Sequence, residues 1–332
     1  METGFTTMLG IEFPIMQAPI GGAAGPELAA SVSNAGALGS VPAWVAPASQ
    51  VASLIGAVRK LTPRPFVLNL RSDLDQLSHV TAAIESGASL INLFWGDPTP
   101  YMSTIHRGGA KVLCTISNAD EAKQALDAGA DILIAQGWDA GGHVRGTLTT
   151  LALVPTVVDL AGPVPTLAAG GVVDGRSMAA MLVLGASGVV MGTRFVASNE
   201  SRAHPDYKAA ITKARQTDAV YVANLFDVGW PNAPHRVLRN STVRTWETAG
   251  SPPSGSRPDE GEAVAFRPDG SPILRYSSST PTTGMTGNVE ALPQYAGQGV
   301  ERVGDVLPAS EIVRLTMRQA REQLSRFAIR PA

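Results

Sequence analysis

Short apolar or β-branched runs alternate along the chain with longer segments of helical periodicity. This alternation is typical of successive strand and helix units that build a parallel sheet. Most of the short runs are apolar nearly throughout, as expected for strands that are buried on both faces. The predicted strands are residues 14–20, 37–41, 66–70, 90–94, 111–115, 131–136, 165–169 and 188–192.

The segments between these runs predict helices, and several end in glycine, which favours a left-handed cap. Three joints repeat one another as if one unit had been reused: Ser86-Gly-Ala-Ser, Ala128-Gly-Ala-Asp and Leu184-Gly-Ala-Ser. Eight units with right-handed crossovers close naturally into a (β/α)8 barrel, although a doubly wound open sheet has the same pattern. The segment SRAHPDYKAAITKAR, after the eighth strand, is predicted to be the closing helix.

The pattern divides the chain into three parts. Residues 1–219 carry the barrel repeat, whereas residues 220–295 are rich in Pro, Gly, Ser and Thr. We interpret this second part as a cap or lid excursion over the barrel mouth, or else as a partly disordered segment. Residues 296–332 end in a periodic helix that is expected to return to the barrel surface. The predicted fold class is therefore α/β, a (β/α)8 TIM barrel with an excursion after strand 8.

Composition narrows the function to small-molecule chemistry. Charged residues make up 16% of the 332 residues and the net charge is -2, so no broad basic surface is expected for nucleic acid or an anionic membrane. The sequence predicts neither a membrane-spanning helix nor a signal peptide. The single cysteine, Cys114, is expected to be a buried packing residue. These features favour a cytoplasmic protein, and they leave open whether it forms a homo-oligomer.

Glycines follow the last two predicted strands. Ala169-Gly170-Gly171 ends the seventh strand, and Val190-Met191-Gly192-Thr193 ends the eighth. In (β/α)8 barrels the loops at these two places commonly hold a phosphate, because glycine lets backbone N–H groups approach it closely. Either group alone would also suit a tight turn, but the two together favour phosphate binding. Arg194 is expected either to assist the phosphate or to form an ordinary ion pair.

The sixth predicted strand runs into the loop Gln136-Gly-Trp-Asp-Ala-Gly-Gly-His143, where glycines surround one histidine. Gly141 and Gly142 let the backbone pass beside a flat cofactor, and His143 is a candidate base for a carbon acid, because histidine titrates near neutral pH. Asn69, after the third strand, and Gln136 offer amides that suit the polar edge of such a cofactor.

The remaining chemistry-bearing residues carry weaker signals. Asp139 is expected to stabilise its loop, and four histidines are predicted to be structural or exposed. The sequence has no cluster with metal-ligand spacing and no Gly-x-Ser-x-Gly elbow, so neither a metal site nor an acyl-enzyme mechanism is predicted. Those four histidines are His79, His106, His204 and His235.

Taken together, these segments resemble the nitronate monooxygenase family, formerly called 2-nitropropane dioxygenases, whose members are FMN enzymes built on a (β/α)8 barrel. The resemblance covers about two-thirds of the chain. It rests on PIMQAPIGG, PELAASVSNAGALG, VLNL, AQGWDAGGHVRG, PTLAAGGVVDGRSMAAMLVLGA and VVMGTRF, with a weaker match in YAGQG.

The resemblance implies a catalytic role for His143 as a base that deprotonates a nitroalkane, unless a nitronate is bound directly. The nitronate then gives an electron to FMN, and dioxygen yields a carbonyl product and nitrite without any nicotinamide. The residues implied to hold FMN are Ala18, Pro19, Ile20, Asn69, Gln136, Gly141, Gly142, Ala169, Gly170, Gly171, Val190, Met191, Gly192 and Thr193.

Two other functions stay open. The loop that ends in His143 is similar to that of FMN-dependent enoyl-ACP reductases, which use NAD(P)H, and related quinone reductases share the barrel. A barrel that binds flavin or phosphate without catalysing a reaction is the third alternative. The sequence names neither the physiological substrate nor the role of residues 220–295.

Overall fold

The structure, a computed structural model, describes residues 1–326 and consists of a parallel barrel with a long excursion. All eight predicted strands are present, and their bounds differ from the predicted ones by at most a few residues. The barrel strands are β1 (Ile15–Gln17), β2 (Gly39–Pro42), β3 (Phe66–Arg71), β4 (Leu90–Phe94), β5 (Lys111–Ile116), β6 (Ile132–Gln136), β8 (Thr166–Ala169) and β9 (Gly188–Met191).

These strands pair in parallel in the order β2-β3-β4-β5-β6-β8-β9-β1. A parallel bridge between Met16 and Leu38 joins β1 back to β2, which closes the sheet. The prediction of a (β/α)8 barrel is thus confirmed, and the open-sheet alternative is wrong. In a barrel of this kind the active site lies at the C-terminal ends of the strands.

Helices cover the outside of the barrel and close its lower end. Several begin at N-cap residues. The side chains of Asn118 and Asp174 each accept a hydrogen bond from a backbone N–H in the first turn of the helix that follows. The α-helices are α1 (Gly4–Leu9), α2 (Pro26–Asn34), α3 (Val51–Leu61), α4 (Leu77–Glu85), α5 (Thr99–Arg107), α6 (Ala119–Asp127), α7 (Thr150–Ala161), α8 (Gly175–Val183), α9 (Thr193–Val196), α10 (Pro205–Lys213), α11 (Ser241–Thr248) and α12 (Ala309–Arg326). Short 3-10 helices span Ala48–Gln50, Gln216–Asp218, Val289–Ala291 and Val300–Arg302.

Alternation along the strands separates two apolar cores. On β3, Leu68 and Leu70 pack outward against the helices, whereas Val67 points into the barrel interior. Phe5 of α1 is fully buried in that interior core, so α1 plugs the N-terminal end of the barrel. The opposite end, which the C-terminal strand ends surround, is where the interior becomes polar.

The helix that completes the barrel is α12, not the predicted segment after the eighth strand. Helix α12 packs against α8 and α2 and so fills the eighth helical position. The contact is close: a Cβ added to Gly175 would lie 2.3 Å from the backbone nitrogen of Ala320. Helix α10, within the segment predicted to close the barrel, instead packs its buried Tyr207 and Ile211 against a separate cluster beside the mouth. Residues 327–332 of the predicted C-terminal part lie outside the described residues.

Residues 220–295, which we call the excursion, contain regular elements. Strand β11 (His235–Leu238) pairs with β10 (Ala219–Val222) and also with β7 (Gly142–His143), which is part of the loop after β6. The excursion therefore forms part of the wall around that loop. The strands outside the barrel are β7 (Gly142–His143), β10 (Ala219–Val222), β11 (His235–Leu238), β12 (Ala263–Phe266), β13 (Pro272–Leu274) and β14 (Thr286–Gly287).

No helix in residues 1–326 combines the length and the apolar character that crossing a membrane requires.

Candidate active site

A cavity of about 950 Å³ opens at the C-terminal ends of the barrel strands and extends to residues of the excursion. Its volume is near the top of the range of roughly 300–1,000 Å³ that is usual for small-molecule sites, so it has room for a cofactor and a substrate together. The site residues predicted from the sequence that line it are Ala18, Pro19, Ile20, Asn69, Gln136, Gly141, Gly142, His143, Ala169, Gly170, Gly171, Val190, Gly192 and Thr193.

Met191 is the predicted site residue that does not line the cavity. Side chains alternate along β9, so Val190 points inward and Met191 packs between the barrel and its helices. Only the backbone of Met191 takes part in the site's framework: its carbonyl accepts a hydrogen bond of 2.9 Å from the N–H of Ala18. The Met191 side chain is therefore buried away from the cavity, and its backbone is the part that lies near the site.

Polar side chains from four neighbouring strands form the floor of the cavity. Asn69 donates to the carbonyl of Asn92 at 3.3 Å, and Thr115 donates to the side-chain oxygen of Asn92 at 3.1 Å. The Gln136 amide donates to the carbonyl of His143 at 3.3 Å. Asn92 and Thr115 were not singled out from the sequence, although both lie at or near the ends of predicted strands. Amides and a hydroxyl in this arrangement can donate to and accept from the polar edge of a flat ring.

The glycines of the site divide into two kinds. A Cβ on Gly141 would lie 2.4 Å from the backbone nitrogen of Gly297, and one on Gly170 would lie 2.4 Å from the Thr150 hydroxyl. These two are glycine because neighbouring chain packs against them. A Cβ on Gly171 or Gly192 would meet nothing nearer than 3.5 Å, although both line the cavity. Gly171 and Gly192 therefore leave room for a ligand.

His143 presents a buried ring nitrogen that has no hydrogen-bond partner among the described residues, its Nε2. The imidazole stacks on the indole of Trp230, with ring centroids 3.8 Å apart and planes inclined by 25°, and Tyr295 lies beside it at 5.4 Å. Burial lowers the pKa of His143 well below its usual value, and the nearby His235 and Arg71 lower it further. The ring is therefore neutral at physiological pH and available to accept a proton.

His235 lies directly behind His143, because the two residues are register partners in the β11–β7 pair. Its Nδ1 lies 2.9 Å from the carbonyl of Ala233, and its Nε2 accepts from the N–H of Phe226 at 3.4 Å. Burial lowers the pKa of His235 to about 4, so it too is neutral. His235 is structural, as the sequence suggested, but it forms part of the wall of the active site.

The other residues that the sequence analysis considered for a chemical role lie outside the cavity lining. His106 pairs with Asp131 on the surface, His204 caps α10, and His79 bonds a carbonyl. Arg194 forms an ion pair of 2.8 Å with Asp305. Of the two roles expected for Arg194, the structure therefore favours the ordinary ion pair over a contact with the phosphate. Cys114 is buried, and burial raises the pKa of its thiol to about 12, so the packing role fits.

The loop that carries His143 is held by a buried cation from the excursion. The guanidinium of Arg236 donates to the carbonyls of Trp138 at 2.8 Å and Ala140 at 3.2 Å, and to Ala219 at 3.3 Å. It also lies 4.1 Å over the Trp138 ring. At the other side of the loop, the carboxylate of Asp139 accepts from the N–H of Thr150 at 2.7 Å. Sequence reasoning missed Arg236 because it lies nearly 100 residues from its two partners in the loop, Trp138 and Ala140.

The sequence analysis did not identify two further residues on the cavity wall. The sequence contains a pattern that indicates the first, but none that indicates the second. Arg71 occupies the last position of β3, two residues after Asn69 and on the same face of the strand, so alternation would have found it. Trp230 lies in an irregular part of the excursion, between Gly229 and Pro231. Nothing in the local sequence indicates that this tryptophan reaches the barrel mouth.

Comparison with known families fits this geometry. The family model described as nitronate monooxygenase matches residues 2–318. The chain belongs to the nitronate monooxygenase family. Membership of this generally flavin-dependent family makes the chain an oxidoreductase, as the resemblance implied.

Relatives of this nitronate monooxygenase family member include proteins with different activities. A nitronate monooxygenase from Pseudomonas aeruginosa is 33% identical over 97% of this chain and 100% of its own length. A (3aS,4S,5R,7aS)-5-hydroxy-7a-methyl-1-oxo-octahydro-1H-indene-4-carboxyl-CoA dehydrogenase from Rhodococcus jostii is 34% identical over 76% of this chain and 69% of its own length. The crystal structure of a nitroalkane oxidase from Streptomyces ansochromogenes is 26% identical, with a TM-score of 0.79 over 98% of this chain and 100% of that chain.

Replacing Arg236 with methionine should lower the free energy of unfolding by about 3 kcal/mol, because buried carbonyls lose a charged donor. Urea unfolding checks this value. Arg239→Met is the matched control: Arg239 is 43% exposed in a surface ion pair with Glu247, so its loss should cost under about 1 kcal/mol. Equal stabilities for the two variants would show that Arg236 does not anchor the loop.

Proposed function

We propose that this member of the nitronate monooxygenase family uses FMN to oxidise alkyl nitronates, or the parent nitroalkanes, with dioxygen to a carbonyl compound and nitrite. The observation that carries the proposal is a neutral imidazole whose buried Nε2 has no partner among the described residues, on the wall of a cavity large enough for a cofactor and a small substrate. Such a group is suited to take a proton from a carbon acid.

The residues present fit FMN. Asn69 and Gln136 supply the amides for the polar edge of its ring system, and Gly171, Gly192 and Thr193 leave room and a hydroxyl for its phosphate. When bound, FMN supplies the electron acceptor for the nitronate and the electron donor for dioxygen.

The chain's own residues provide the proton chemistry and the shielding. His143 accepts the proton of the α-carbon at Nε2 when the substrate is a neutral nitroalkane. Gln136 fixes the position of His143 by donating to its carbonyl, and the ring of Trp230 covers the imidazole and excludes water. A preformed nitronate has already lost this proton, so it needs the site but not the base.

The alternative is a reductase that takes electrons from NAD(P)H and passes them to an enoyl thioester or a quinone. One relative is named as a dehydrogenase of a carboxyl-CoA compound, which supports a thioester as a possible class of substrate. The cavity extends past the barrel mouth to Arg267 and to Ser278–Thr280 of the excursion, which gives space for a longer substrate. The two functions differ in what reduces the flavin.

The decisive experiment mixes the purified protein anaerobically with ethyl nitronate and, separately, with NADH, while the flavin absorbance is recorded. We expect the nitronate to bleach the flavin and NADH to leave it oxidised, and we expect oxygen uptake and nitrite release in air. Bleaching by NADH alone, with turnover of an enoyl thioester or quinone, would establish the reductase instead. A flavin that neither compound bleaches would mean a barrel without either activity.

His143→Ala should keep flavin bound and lose about 10²- to 10⁴-fold in kcat/KM for nitroethane, with a smaller loss for ethyl nitronate. His106→Ala, which removes an exposed imidazole in an ion pair with Asp131, should behave like the parent protein. The base must be neutral to act, and its pKa lies below the usual 6.5, so the parent's activity on nitroethane should fall only below about pH 6.5. Parental turnover of nitroethane by His143→Ala would refute the base assignment.

Gly171→Asp should purify with much less flavin than the parent protein, because a carboxylate would face the phosphate. Gly171 has a φ of 67°, which strains most side chains but which asparagine tolerates, so Gly171→Asn is the matched control of nearly equal shape without the charge. Flavin content per protein is read from the ratio of absorbances. Equal flavin content in the two variants would place the phosphate elsewhere.

A further inference from the structure

Arg71 is a buried cation on the cavity wall that the proposed reaction does not yet use. Its side chain is only 7% exposed, and it lies at the C-terminal end of β3, on the same face of the strand as Asn69. Burying a guanidinium is costly unless its N–H groups are hydrogen-bonded. The partners of Arg71 therefore indicate what it is for.

Only part of the guanidinium is satisfied. Its Nε and Nη2 donate to the two carboxylate oxygens of Asp73, at 3.0 and 2.6 Å. The third nitrogen, Nη1, has no hydrogen-bond partner in residues 1–326, and Arg71 borders the cavity. A carboxylate thus fixes one edge of the guanidinium and leaves the remaining N–H groups for a ligand.

Trp230 holds the guanidinium flat and separates it from the base. The central carbon of the guanidinium lies 3.3 Å from the Trp230 ring centroid, and the His143 centroid lies 3.8 Å from Trp230. Two groups cannot both lie so close to one ring on the same face, so Arg71 and His143 occupy opposite faces of the indole. The indole of Trp230 therefore lies between the cation and the base.

The charge of the lining also favours an anion. Within the part of the chain that the structure describes, its ionised side chains are Arg71, Arg267 and Asp73, so cations outnumber acids.

We propose that Arg71 is the residue that selects a negatively charged substrate, and that its Nη1 hydrogen-bonds the nitro oxygens of the nitronate. This inference rests on the proposed function for the name of the substrate. Arginine suits the role because a planar guanidinium matches the planar pair of oxygens in a nitronate or a carboxylate. The neutral nitroalkane carries no full charge and gains much less from the contact.

The test compares anionic and neutral ligands in Arg71→Met and Arg71→Lys at pH 8, where His143 is neutral. Losing a charged hydrogen bond typically weakens binding about 10- to 100-fold. We expect Arg71→Met to raise KM for ethyl nitronate by that factor, with KM for neutral nitroethane changed less than about threefold. Arg71→Lys keeps the charge and should be intermediate. Arg107→Met removes an exposed arginine on α5 and should match the parent protein.

A second measurement separates this inference from the proposed function. Propionate has a planar two-oxygen anion and cannot be oxidised as a nitronate, so its binding can be measured by calorimetry whatever reaction the enzyme performs. We expect Arg71→Met to raise the Kd of propionate about 10- to 100-fold. If the parent protein fails to oxidise nitronates but this difference holds, the proposed function is wrong and Arg71 still selects an anion. Equal propionate affinity in the parent protein and Arg71→Met overturns the proposal.

Discussion

The active site depends on the hydrogen bonds from the buried guanidinium of Arg236 to the carbonyls of the loop after β6. Loop carbonyls at a barrel mouth normally bond to water, and here a cation from the excursion replaces that water. Because the same strand, β11, also pairs with β7, one element fixes both the approach of the loop and the residue that ends it, His143. The Nε2 atom of His143 can then stay buried and unpaired within residues 1–326, since the backbone on either side of the imidazole is held.

Close backbone contacts join the barrel loops to the chain that follows the excursion. Gly141 packs against Gly297, and a Cβ on Gly299 would lie 2.5 Å from the carbonyl of Gly171. The glycines of YAGQG therefore complement the glycines after β6 and β8. This packing explains why glycine is so frequent around the cavity even where no ligand needs the space. Among the glycines of these two loops that line the cavity, Gly142 and Gly171 leave free space beside them.

Sequence periodicity predicted the barrel and two of the four polar side chains of the cavity floor, because strand ends and glycine loops are local features. Asn69, Gln136 and His143 follow directly from strand order, since the C-terminal ends of parallel strands meet at one face. Arg236 and Trp230 could not be predicted, because their positions depend on how an irregular segment folds back. The assignment of the eighth helix failed for a related reason: two segments have helical periodicity, and only packing against α8 and α2 selects the later one.

The position of α12 has a consequence for how the chain is made. Strand β9 ends at Met191, and the helix that covers it, α12, begins only at Ala309. The ribosome therefore synthesises the last helix of the barrel after the whole excursion. Domains fold as their segments emerge, and contacts between distant segments form slowly. Until α12 emerges, the apolar outer faces of α8 and α2 lack their partner, and the nascent protein depends on its late residues to become resistant to aggregation and proteolysis.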